Sequence, residues 1–181
     1  KLCPLTVSPA GDPLVYYRKA IGNTITSLKS LMLCPPAILW VDDFPSNNIE
    51  MTQLLIQTGC SIDPALSTKE AIGKLESRFY TLIITDMGRG NDWDAGLDLL
   101  NIMRSKGIQI PVILFCSKRA IAQYGEQATE NGAWLCTAGP ITLLHGIFQI
   151  LEDIAENKGL KNIKQQNQTP NLAESSDGSK V

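Results

Sequence analysis

Histidine is nearly absent from this 181-residue chain, His145 being the only one. Hydrolases of the Ser–His–Asp or Cys–His type need an imidazole positioned beside the nucleophile. A lone His on a helical stretch, far along the chain from the acidic residues discussed below, reads as a satisfied or exposed helical residue. Cysteine occurs five times (Cys3, Cys34, Cys60, Cys116, Cys136), never as Cys-x-x-Cys. No zinc site is therefore expected, and the scattered thiols read as reduced, in a cytoplasmic setting. Neither GxGxxG nor GxxxxGK[ST] occurs, so no dinucleotide fingerprint and no P-loop is indicated. No apolar run approaches the ~18 residues of a spanning helix. Pro4, Pro9 and Pro13 interrupt the N-terminus where a signal sequence would need a continuous apolar stretch. An excess of one charge is also missing: 16 Lys and Arg stand against 18 Asp and Glu, net −2. That balance argues against direct nucleic-acid binding and against a membrane surface.

What is present is ordinary globular material, 44% hydrophobic and 19% charged, enough for one domain with appendages. Three segments are expected. Residues 1–36 form a leader that turns helical from about Pro13, with Asp12 and Pro13 as its start signal. Leu14, Tyr17, Ile21, Leu28 and Leu31 fall near one helical stripe. Two uses of that stripe stay open, packing on the chain's own domain or forming a homodimer. Residues 37–157 form the main domain. Residues 158–181 are polar and too poor in large apolar groups to offset their ordering entropy, so a disordered tail is expected.

In the main domain, short apolar runs alternate with amphipathic stretches. The expected strands are Ala37–Val41, Cys60–Asp63, Leu82–Thr85, Val112–Phe115 and Ala133–Cys136. Ser67 followed by Glu70 has the capping-box pattern of a helix start. Gly59, Gly107 and Gly132 stand where helices should stop. Leu144, Ile147, Phe148, Leu151 and Ile154 follow the spacing of a helix face. Five such units imply an α/β fold, a five-stranded parallel doubly wound sheet with helices on both faces.

Such sheets bind ligands beyond the carboxyl ends of their strands. The first strand ends in Asp42 and Asp43, the third in Asp86, and the fourth in Cys116 and Ser117. If strands one and three are neighbours, three carboxylates converge. They then need a cation or raised pKa values, and a hard ion such as Mg2+ suits them. Asp92, Asp94 and Gly96 make half of a calcium loop, but no Glu follows at the required spacing.

Residues 37–155 resemble the receiver domain of bacterial two-component response regulators. The likeness rests on Trp40–Asp43, Ile83–Asp86, the run from Pro111 to Ser117, Gly132 with Ala133, and Gly139 with Pro140. The resemblance implies a flavodoxin-like strand order 2-1-3-4-5 and Mg2+ as cofactor. It implies Asp86 as phosphoacceptor, with Asp42, Asp43, Asp86 and the backbone carbonyl of Gly88 as metal ligands. Three positions depart from the family pattern. Cys116 stands where the family has Thr or Ser, Cys136 at its switch aromatic, and Gly139 at its Lys. Cys116, Ser117, Arg89 and Lys118 are then the expected phosphate contacts. The function implied is phosphorelay signalling, with a histidine kinase or other signalling protein as partner. The departures raise a rival, a pseudo-receiver that docks a partner without phosphorylation. A small metal-dependent phosphohydrolase is a third reading of the same carboxylates.

Overall fold

The computed structural model describes residues 11–31 and 35–166, with side chains described for 11–28 and 35–157. The side chain of Leu31, in the leader stripe, and the end of the polar tail, 167–181, lie outside that description. The described elements are helix α1 (Pro13–Leu31), β1 (Ala37–Val41), a 3-10 turn (Pro45–Asn48), α2 (Ile49–Thr58), β2 (Ser61–Ala65), α3 (Thr68–Ser77), β3 (Leu82–Thr85), α4 (Ala95–Ser105), β4 (Val112–Phe115), α5 (Lys118–Glu130), β5 (Leu135–Thr137) and α6 (Pro140–Gln166). All strand pairs are parallel, and the order across the sheet is β2-β1-β3-β4-β5. This is the expected order, and it makes β1 and β3 neighbours.

The alternation of side chains along each strand divides the core in two. Ile38, Trp40, Leu82, Ile84 and Ile113 face one layer, which α1, α2 and α6 cover with Ile21, Ile25, Leu55, Leu144 and Ile147. Leu39, Val41, Ile83, Val112 and Leu114 face the other, which α3, α4 and α5 cover with Ala71, Leu99, Leu100 and Ala128. β1, β3 and β4 have the expected bounds because both their faces are buried and each reads as an unbroken apolar run.

Two strands are shifted from expectation. β2 continues through Pro64, which sits opposite Trp40. As an edge strand it needs no ladder donor on its outer side, so proline is tolerated there. β5 begins two residues late, because Ala133 still closes α5 by donating its N–H to Ala128 O (2.8 Å). α6 also runs to Gln166, past the boundary expected at residue 157.

Local signals hold where they were read. Asp12 Oδ1 accepts from Leu14 N (2.9 Å) at the start of α1. Gly59 closes α2 at φ +102°, its N–H shared between Ile56 O and Leu55 O, in a conformation that disfavours a β-carbon. Ser67 caps α3 by accepting from Glu70 N (3.1 Å), while Glu70 accepts from Leu66 N (2.8 Å). Replacing Ser67 by Ala is expected to cost about 1 kcal/mol, measured by urea denaturation.

Helix α1, the described part of the leader, packs on α6 and α2. Tyr17, Ile21, Ile25 and Leu28 are buried against α6 and α2. The Tyr17 hydroxyl bonds to His145 Nδ1 on α6 (3.0 Å), which accounts for the single histidine. Of the expected stripe, Tyr17, Ile21 and Leu28 are thus buried on this domain, whereas Leu14 is exposed together with Val15 and Tyr16.

Candidate functional site

Asp42, Asp43 and Asp86 follow the carboxyl ends of β1 and β3. Asp86 N donates to Val41 O (3.1 Å) and Asp42 N to Ala65 O (2.9 Å), so the sheet itself sets their spacing. One oxygen from each carboxylate lies within 4.8 Å of the other two. Asp42 is fixed by Phe44 N on Oδ1 (2.7 Å) and by Asn48 Nδ2 on Oδ2 (2.6 Å). Asp43 Oδ2 accepts from Gly90 N (2.8 Å).

Such a set fits a hard divalent cation, since Mg2+ takes oxygen ligands at about 2.0–2.1 Å and keeps several waters. The electrostatics point the same way. Burial pushes the Asp86 carboxyl from 3.8 up to about 7; Asp42 and Asp43 add to the rise and Arg89 opposes it. An acidic group that is costly to ionise gains from a cation.

Arg89 lies differently from expectation. Its side chain is buried, with Nη1 on Asp86 Oδ1 (2.5 Å) and Thr85 Oγ1 (2.8 Å). Nη2 reaches Thr68 Oγ1 (2.9 Å) and Ala95 O (2.6 Å). A guanidinium from the loop after β3 therefore joins the end of β3 to the starts of α3 and α4.

A cleft of about 540 Å3 opens beside Asp86 and Gly88, walled by Trp93, Cys116, Ser117, Arg119 and Tyr124 among others. Cys116 and Ser117 are where the sequence places them. Burial, with Cys136 and Asp86 nearby, pushes the Cys116 thiol up to about 12, so it stays protonated. Ser117 caps α5, accepting from Ala120 N (3.2 Å). Arg119, rather than Lys118, lines the cleft, and Gly139 is not among its walls. Gly139 N donates to Thr137 Oγ1 (3.0 Å) just ahead of α6. Cys136 lies within β5, opposite Leu114.

Sequence reasoning missed Asn48, Thr68, Tyr124 and the inward course of Arg89. It also missed Gly96, where a β-carbon would stand 2.1 Å from Asp86 O. That close approach lets Gly96 N bond to Met87 O (2.8 Å) and holds α4 against the site. Gly96→Ala is expected to lower stability by about 1–3 kcal/mol through the forced backbone shift, read from the thermal midpoint.

Residues 38–143 match the response regulator receiver domain family. The chain belongs to that family. Over 107 residues it is 30% identical to the sensor protein EvgS of Escherichia coli K12, a match covering 59% of this chain and 9% of that relative's length. Among solved structures it resembles the response regulator TrrA of Thermotoga maritima in complex with Mg(2+)-BeF, at TM-score 0.54 and 24% identity, over 64% of this chain and 98% of that one. A response regulator receiver domain protein from Clostridium thermocellum is similar at TM-score 0.57 and 21% identity, over 69% of this chain and 98% of that one. Among the described residues, no helix is long and apolar enough to cross a membrane.

Proposed function

We propose that this chain works as a phosphoacceptor in a signalling relay. Asp42, Asp43, Asp86 and the Gly88 carbonyl hold Mg2+, which offsets negative charge where the phosphoryl group arrives. An Asp86 oxygen attacks the phosphorus of a partner's phosphohistidine. The P–N bond breaks, the imidazole leaves with the electron pair and takes up a proton, and an acyl phosphate remains on Asp86. The observation that carries this reading is the convergence of three strand-end carboxylates within 4.8 Å beside an open cleft. Cys116, Ser117 and Arg119 on the cleft wall are the candidates to contact the phosphoryl oxygens, with Arg119 in the part expected of Lys118. Histidine kinases are the partner class this chemistry asks for. A cytoplasmic setting suits the free thiols Cys60, Cys116 and Cys136.

Incubation with acetyl phosphate and Mg2+ is expected to add the mass of one phosphoryl group, lost in Asp86→Asn. A second reading, the pseudo-receiver, draws support from Gly139, Cys136 and Cys116 together, since no Lys, aromatic or Ser/Thr occupies those positions. An unchanged mass in the folded protein would select it. Turnover of a phosphoester, abolished in Asp86→Asn, would instead select the hydrolase.

A further inference from the structure

We infer that Arg89 is a built-in counter-cation for Asp86, seated on the carboxylate that a divalent ion would use, so that metal entry requires the guanidinium to move aside. The inference rests on the proposed role of Asp86 as a metal ligand and adds a means of controlling it.

Three observations support it. First, the backbone commits the side chain inward. Arg89 and Asp92 form an antiparallel bridge, N–H to O in both directions (2.8 and 2.9 Å), and the turn continues through Gly90 at φ +58°. Gly90 N is in turn tied to Asp43 Oδ2 (2.8 Å), so the loop carrying Arg89 is fastened to the same acidic group.

Second, the guanidinium is held by more than charge. Besides Asp86 Oδ1 it donates to Thr85 Oγ1, Thr68 Oγ1 and Ala95 O. These partners belong to the end of β3 and the starts of α3 and α4, and together they fix the plane of the fork. A guanidinium presents its donors in a fixed planar fork, and these four acceptors engage both of its terminal nitrogens.

Third, Arg89 and an incoming cation compete for one group. Arg89 occupies Asp86 Oδ1, and the Asp86 side chain is only 15% exposed. A charge-assisted hydrogen bond there is among the stronger polar contacts a protein makes. Two cations beside one carboxylate repel, so each weakens the other's hold.

The test is calorimetric titration of Mg2+ into the full chain, its Arg89→Gln variant and its Thr68→Val variant, with circular dichroism verifying each fold. Arg89→Gln is expected to bind Mg2+ at least about tenfold more tightly. Thr68→Val keeps the charge and removes one anchor of the guanidinium, and it is expected to show a smaller gain of the same sign. In the unaltered chain, saturation with Mg2+ is expected to shift the Arg89 side-chain nitrogen resonances. Equal or weaker affinity in Arg89→Gln overturns the inference and leaves the metal site standing, provided the unaltered chain binds. A gain in Arg89→Gln with none in Thr68→Val reduces the effect to net charge and also overturns it. Should Arg89→Gln not fold, Thr68→Val decides alone, a gain supporting the inference and no gain overturning it. Binding in none of the chains overturns both the inference and the metal site.

Discussion

Replacing Ile21 or Ile25 by Ala is expected to cost about 2–5 kcal/mol each, although both residues lie outside the stretch that matches the receiver family. Both are fully buried, and their neighbours Leu144, Ile147 and Leu151 line the inner face of α6. Truncation removes apolar area and leaves a hole that the facing helix cannot close, because the sheet beneath holds α6 in place. The two sites stand one turn apart on α1 and share neighbours, so the double variant should not equal the sum of the singles. Urea denaturation of the full chain measures the losses directly. A change below about 0.5 kcal/mol, the size usual for surface positions, would mean that α1 does not dock on α6 and α2 as described. Deleting α1 outright should expose the apolar faces of α2 and α6, and the expected result is an insoluble or unfolded product.

The second large effect is a stabilisation. Asp86→Asn should raise the thermal midpoint of the metal-free protein at pH 8. Burial lifts the folded-state pKa of Asp86 from 3.8 to about 7. A carboxyl with a raised folded pKa binds its proton more tightly in the folded state. Its stabilising contribution is therefore complete below pH 4 and is lost as pH rises through 7. At pH 8 the loss is on the order of 4 kcal/mol, less whatever local rearrangement recovers. Asn has no proton to lose and keeps an oxygen for Arg89 Nη1. For a domain of this size the gain should be on the order of 5–10 °C at pH 8, falling toward zero near pH 4. A variant no more stable than the parent at pH 8 would show that Asp86 is not strained when ionised.

Much of this fold can be read from the chain, for identifiable reasons. β1, β3 and β4 are buried on both faces, so each is a continuous apolar run ending at a polar rim, and those rim residues make up the candidate site. Strand order then decides that Asp86 meets Asp42 and Asp43. β2 is harder to read, because Pro64 looks like a terminator unless the strand is known to be an edge. The fate of α1 is not legible either. An apolar stripe shows that a helix will bury one face, and only the packed structure shows that α6 is what covers it. Arg89 is the clearest case. As a residue type in a polar loop it suggests an exposed cation, reaching for phosphate. Its burial depends on a turn closed with Asp92 and on acceptors from Thr68, Thr85 and Ala95, which are brought together by three separate elements. Asn48 is similar, since its bond to Asp42 exists only because a 3-10 turn brings it back.

Phosphoryl acceptance on Asp86 requires the acidic group at the ends of β1 and β3 to act as one site. The most direct measurement is the amide spectrum of the full chain titrated with beryllofluoride, a mimic of the phosphoryl group, with and without Mg2+. The expected shifts require both reagents, centre on Asp86, Gly88 and Cys116, and are absent in Asp86→Asn. A spectrum that ignores beryllofluoride in the presence of saturating Mg2+, with the fold intact, would contradict phosphoryl acceptance on Asp86.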